Sequence, residues 1–122
     1  MSECCIPLDV GQTNGVWTVR SQASASMRGT QKFGSFAVAK HGLRAFAQSL
    51  AKEVLPDGIH VAHVVVDALV DMPVIKQFLP DLAPGRMLDP AAAAEHYWQL
   101  HQQESRCFTF ETDVRPLLME WK

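Results

Sequence analysis

The chain is short of several things, and each shortage removes a class of protein. Cysteines number 3 (Cys4, Cys5 and Cys107), two of them adjacent and poorly placed to bridge each other. A disulfide framework is not expected, and reduced thiols suit a cytoplasmic protein. No apolar run approaches the roughly 20 residues that span a bilayer. The start Met1-Ser2-Glu3-Cys4-Cys5 has no basic stretch leading into an apolar one, so the sequence predicts neither a membrane span nor a secretory leader. Basic residues are few and scattered, 11 Lys and Arg against 13 Asp and Glu, for a net charge of -2. That balance leaves no electrostatic footprint for nucleic acid or an anionic membrane.

Glycine is also sparse where it would matter for nucleotide chemistry. No glycine-rich strand-to-helix turn offers a helix N-terminus to a pyrophosphate. Gly29 and Gly34 have the spacing of a phosphate loop, but Ser35 and Phe36 follow where Lys and Ser or Thr are required. Metal ligands are equally badly set. His60 and His63 are an odd number of residues apart, which on a strand sends them to opposite faces. His96 and His101 are five apart, which misaligns them on a helix, so no metal site is expected. Repeats and low-complexity blocks are absent.

What is present fits one α/β domain, since 122 residues suffice for a single core. Residues 1–15, ending in Gly11-Gln12-Thr13-Asn14-Gly15, are rich in turn formers and read as a poorly ordered lead-in. Residues 16–20 are strand formers after an Asn-Gly turn signal. Residues 21–32 form a polar loop. From about Phe33 the period becomes helical: Phe36, Ala39, Leu43, Phe46, Leu50 and Val54 recur every three or four residues and line one face. Pro56-Asp57-Gly58 stops that helix. Residues 59–66 follow as a nearly continuous β-branched run, the pattern of a strand covered on both faces of a parallel sheet. Strand, helix and strand then make a right-handed crossover.

Beyond Asp67 the chain is broken by Pro73, Pro80, Pro84 and Gly85, with a short helix expected over residues 74–79. Asp89-Pro90 supplies an N-cap and an N1 proline for a helix over residues 91–103. Residues 107–111 suggest a last short strand before a tail ending near Trp121.

The order Ser24-Ala25-Ser26, Phe36-Ala37-Val38-Ala39-Lys40, then Gly58-Ile59-His60-Val61 resembles the short-chain dehydrogenase/reductase family. In that family a serine precedes a Tyr-x-x-x-Lys element on a helix, and a buried strand then ends over the nicotinamide. The resemblance covers residues 16–121 and is closest over 26–66, and the loop Ala25-Ser26-Met27-Arg28-Gly29 is similar to that of some members. It implies a partial Rossmann-like three-layer fold, the C-terminal half of a doubly wound parallel sheet, in one truncated domain over residues 16–122. NAD or NADP is the implied cofactor.

The family's chemistry explains the spacing. Tyrosine and lysine at i and i+4 share a helix face, the ammonium lowers the phenol pKa and holds the ribose, and serine polarises the carbonyl. By resemblance the catalytic positions are therefore Lys40, Ser24 and Phe36, the last standing in the tyrosine's place. The expected position of the family's serine falls on Ala23, with Ser24 next to it and Ser26 farther on. The implied cofactor contacts are Lys40, Asp67, Ala68 and Met72, although the family's own residues at the last three places are a Pro-Gly turn and a threonine. Phe36 has no hydroxyl, so the usual acid/base step is removed.

Each of these residues also has a plainer reading. Lys40 is either a ribose anchor or a solvated lysine near a helix start. Phe36 is both a relic of the catalytic position and an expected packing residue. Ser24 and Ser26 lie in a serine-rich loop where solvated hydroxyls are usual. Tyr97, Trp98 and Leu100 suit a packing face better than a ligand box. Gly42, inside the long helix, costs about 1 kcal/mol against alanine and invites the close approach of another helix. In the family this helix packs on its copy in a partner subunit.

Two functions follow. The first is an oxidoreductase relative, catalytically impaired because the dinucleotide-binding half and the tyrosine are missing. The second is a noncatalytic module that pairs with itself, as a homodimer, or with a full-length relative through the long helix. The unpaired sheet edge and apolar faces of half a doubly wound sheet favour the second. An altered gene start that replaced the original N-terminal half accounts equally for the poor match of residues 1–12.

Overall fold

The computed structural model describes the backbone of residues 16–22 and the whole of residues 27–119. The expected lead-in over residues 1–15, the positions Ala23, Ser24 and Ser26, and Trp121 lie outside the described residues.

Three strands form a parallel sheet. β1 is Val16–Gln22, β2 is His60–Val66 and β5 is Glu111–Val114, in the order β1-β2-β5. The β1 register runs from Val16 beside His60 to Gln22 beside Val66, and on the other side His63 lies beside Glu111 and Val66 beside Val114. β2 is the central strand, and all seven of its residues are buried. That is what an unbroken β-branched run requires, because a strand covered on both faces has no side for polar residues. A second parallel pair joins β3 (Leu69–Val70) to β4 (Met87–Leu88), strands too short to announce themselves in sequence.

Helix α1, Gly34–Val54, links β1 to β2 and so runs antiparallel to them. It stops where the Pro56-Asp57-Gly58 signal predicts. Leu55–Asp57 tightens into a 3-10 turn, and Gly58 adopts φ 77, a left-handed conformation cheap only for glycine, while its N–H donates to Leu55 O at 3.0 Å. Helix α2, Pro73–Phe78, and α3, Pro90–His101, follow. Asp89 caps α3 as expected, its Oδ1 accepting from the Ala91 N–H at 2.9 Å, with Pro90 at N1.

Alternation along β2 divides the core. Ala62, Val64 and Val66 cluster with Leu88 and Leu100, joined by Ala93, Tyr97 and Val114, so this face lies under α3. Val61, His63 and Val65 point the other way, toward α1. The result is a partial Rossmann-like α/β arrangement: a parallel sheet with a helix on each face.

The α1 row Phe36, Ala39, Leu43, Phe46, Leu50 and Val54 is only partly covered: Leu43, Leu50 and Val54 are half-buried and the other three exposed, while the fully buried residues of the helix are Ala37 and Ala47. Two expectations are corrected. Phe36, expected to pack, is 40% exposed, and Phe46 is 59% exposed. The last strand is Glu111–Val114 rather than residues 107–111, because its register is set by pairing with β2 and not by the strand propensity of Phe108 and Phe110.

Candidate functional site

Phe36 and Lys40 lie on the first two turns of α1, the end of the helix nearer the carboxyl ends of the parallel strands. Four residues apart, they share a face, and the Lys40 ammonium stands 5.4 Å from the centroid of the Phe36 ring. This is a cation–π contact, with the ring offering its electron-rich face to the charge. The i and i+4 pair is thus assembled, but its aromatic member has no proton to exchange. Ser24 and Ser26 lie outside the described residues.

The other expected residues cluster after β2. Asp67 is half-buried, its N–H donating to Val114 O at 3.0 Å and its Oδ2 lying 3.2 Å from Arg115 Nη1. Arg115 also bonds Asp113, so the carboxyl ends of β2 and β5 are joined by a short charge network. Ala68 packs against the α3-side core. Met72 stands apart from this network, 40% exposed at the N-cap of α2. Of the three, only Asp67 contributes a polar group, and that group is already occupied by a guanidinium.

A second charged cluster was not singled out by sequence. Arg44 donates to Glu111 through two bonds, Nε to Oε2 at 2.6 Å and Nη2 to Oε1 at 3.1 Å. His63, wholly buried on β2, donates from Nδ1 to the same Oε2 at 3.0 Å. The Glu111 carboxyl is held below the usual carboxylate range, first by the Arg44 hydrogen bond and then by His63, against the opposing effect of burial. The His63 imidazole is pushed below its ordinary value because burial disfavours its charged form more than Glu111 favours it. Arg44 is raised by its bond to Glu111. His63 is therefore neutral near pH 7, with its proton on Nδ1 and its Nε2 buried without a partner. This cluster ties α1 to two strands, and its partners are 67 and 48 residues apart in sequence, so no local pattern marks it.

The two strand histidines sit on opposite faces, as their odd spacing requires. His60 donates from Nε2 to Thr109 O at 2.7 Å and stacks on Phe108, with ring centroids 4.0 Å apart.

No family model matches the chain, and no curated protein matches it either. A solved structure does: the crystal structure of a short-chain dehydrogenase from Rhodopseudomonas palustris is 41% identical, with a TM-score of 0.64. The match covers 85% of this chain and 39% of that one, so this chain spans well under half the length of the dehydrogenase it resembles.

Proposed function

We propose, from its relationship to the short-chain dehydrogenases, that this chain corresponds to the C-terminal part of their fold and does not by itself carry out hydride transfer. The observation that carries the reading is Phe36. It occupies the i position against Lys40 at i+4, in contact with the ammonium, yet offers no hydroxyl. General acid/base catalysis needs a group that gives and takes a proton at the substrate oxygen, and a phenyl ring does neither.

The fit to a nicotinamide dinucleotide is correspondingly partial. Lys40 is suited to hydrogen-bond ribose hydroxyls. Among the described residues no glycine-rich turn leads into a helix, the arrangement that receives a pyrophosphate. α1 starts without a side-chain cap after Phe33, and the carboxylate of Asp67 is paired with Arg115. NAD or NADP would be held by one end only. Titrating NADH and NADPH against the purified chain by calorimetry tests this. Saturable micromolar binding, or turnover of a carbonyl with either nucleotide, overturns it.

A second reading, an assembly module, is favoured by the outer face of α1. Phe36 and Phe46 are exposed on it beside Ala39 and Leu43, and a Cβ added to Gly42 would meet nothing within 4 Å. Among the described residues nothing takes up the close approach that this glycine permits. A second copy, or a longer relative, laid along this helix would cover the rings. Measuring the mass in solution tests the first of these: a dimer that responds to neither nucleotide supports the module.

A further inference from the structure

β5 is the shortest strand of the three-stranded sheet, four residues at its edge, and one residue of β2 grips its start. The His63 N–H donates to Phe110 O at 2.6 Å, and its Nδ1 donates to Glu111 Oε2 at 3.0 Å. Arg44 closes on the same carboxylate from α1. The flanks of this grip are held by other groups. Upstream, the Gln103 amide clamps Thr109 with two bonds, Nε2 to Oγ1 at 2.7 Å and Oε1 from the Thr109 N–H at 2.8 Å, while His60 Nε2 donates to Thr109 O. Downstream, the Asp67 N–H donates to Val114 O, and Arg115 bridges Asp67 and Asp113. Thr109 is thus a fixed pivot, and β5 beyond it is a short edge element, the kind that opens locally at least cost.

The grip depends on His63 being neutral. With the Nδ1 proton given to Glu111, Nε2 is a buried acceptor with no partner among the described residues, in a side chain that is wholly buried. A second proton has to go on Nε2, where an N–H finds no acceptor, and a buried unpaired donor is costly.

The charged groups that act on the ring are Glu111 from β5 and Arg44 from α1, while Val19, beside it on β1, carries no charge. Glu111 favours the imidazolium, but its oxygens already accept the Arg44 fork, and Arg44 itself opposes a second cation. Burial outweighs Glu111, so the closed form resists the proton. Once β5 leaves, His63 borders an open sheet edge where water solvates the imidazolium. The open form takes the proton that the closed form refuses.

We propose that His63 is an acid-released latch: its protonation frees residues 110–114 from β2 while α1 and the β1-β2 pair stay folded. What this uncovers is the edge of β2, a row of free N–H and C=O groups that an incoming strand can pair with. The sign follows from linkage. The latch holds above about pH 6.5 and loosens as pH falls below it, about tenfold in the opening constant per pH unit for one proton, until the lower closed value is reached.

Native-state amide hydrogen exchange on the full chain, stepped from pH 7.5 to 5.0 and corrected for the intrinsic rate at each pH, tests this. The Asp67 and His63 amides, bonded to Val114 O and Phe110 O, report the latch, and the amide of Ala47, wholly buried in α1, reports the rest of the fold. Opening at Asp67 and His63 is expected to rise together, about tenfold per pH unit below about pH 6.5, with Ala47 not following. His63→Gln, which keeps a donor for Glu111 and cannot take up a proton, should flatten the Asp67 response. The proposal is overturned by an Asp67 opening constant that stays flat in the parent, by Ala47 rising in step with it, or by a slope that survives His63→Gln. Should that variant fail to fold, the contrast between Asp67 and Ala47 in the parent decides the matter alone.

Discussion

Arg44, midway along α1, closes a two-bond fork on Glu111, the first residue of β5, with Nε 2.6 Å from Oε2 and Nη2 3.1 Å from Oε1. The helix has two fully buried residues, both alanines, with Leu43, Leu50, Ala51 and Val54 half-buried, so this fork adds a polar tie to an apolar contact. Planar guanidinium matches carboxylate in a way that a lysine ammonium cannot. Each side chain keeps about a quarter to a third of its surface in water, which weakens the pair relative to a fully buried one.

Arg44→Ala should therefore destabilise the fold by about 1–2 kcal/mol, and Arg44→Lys by about half as much, since it keeps a charge and loses the fork. Urea unfolding checks this. The midpoint should fall with the slope unchanged, as expected when native contacts are lost and the exposed surface is not altered.

Acid should unfold the chain in two stages. His63 is buried neutral with its folded pKa below the ordinary 6.5, so the unfolded chain takes up this proton first as pH falls. The stability it contributes is present above about pH 6.5 and is lost as pH drops toward the lower folded value. Glu111 has its folded pKa below the ordinary 4.5, so its contribution begins to fall only below about pH 4.5, after the His63 loss has begun, and is lost as pH falls through that depressed value. In urea titrations at stepped pH, His63→Asn should remove the upper limb and spare the lower. An unchanged upper limb in that variant would show that another group produces it.

Much of the fold was legible because local chemistry and tertiary demand agreed. The β-branched run of β2, the Pro56-Asp57-Gly58 stop and the Asp89 cap each solve a backbone problem where it arises, and each is found where the residues predict. The face of α1 was only partly legible. Hydrophobic period marks which residues avoid water and says nothing about what covers them, and here Phe36 and Phe46 turn outward, Leu43, Leu50 and Val54 are half-buried, and Ala37, Arg44 and Ala47 meet the sheet. The charged cluster was missed for a related reason. Arg44, His63 and Glu111 become neighbours only through strand order, which no window of sequence contains. Of the candidate site, the pairing of Phe36 with Lys40 followed from helical spacing alone, whereas the place of Met72, at the N-cap of α2, is set by Pro73 starting that helix and not by any spacing from Lys40.

Restoring the phenol should not restore the reaction. In Phe36→Tyr the new hydroxyl sits beside Lys40, whose positive charge favours phenolate, so the phenol should ionise below the usual value of about 10. Ultraviolet difference titration against the parent chain isolates it from Tyr97. With no glycine-rich strand-to-helix turn among the described residues, oxidation of NADH or NADPH should stay at background in the same variant. Because Phe36 is 40% exposed, stability should change by less than about 0.5 kcal/mol.

The outward face of α1 gives the sharpest test of assembly. Phe36 and Phe46 are ten residues apart, about 2.8 helical turns, so their rings lie about 80° apart around the axis with Leu43 between them and the open Gly42 beside Phe46. A stripe of this kind is unusual on a surface that meets only water. If a second copy covers it, Phe46→Glu places a charge in the apolar centre of the contact, where desolvation without a partner is costly. Light scattering should then show the parent chain at twice the protomer mass and the variant at the protomer mass. Since Phe46 is 59% exposed in the single chain, the variant should keep its helical circular dichroism. A parent chain that runs as a monomer at high micromolar concentration would leave the stripe for a partner of another kind and end the homodimer reading.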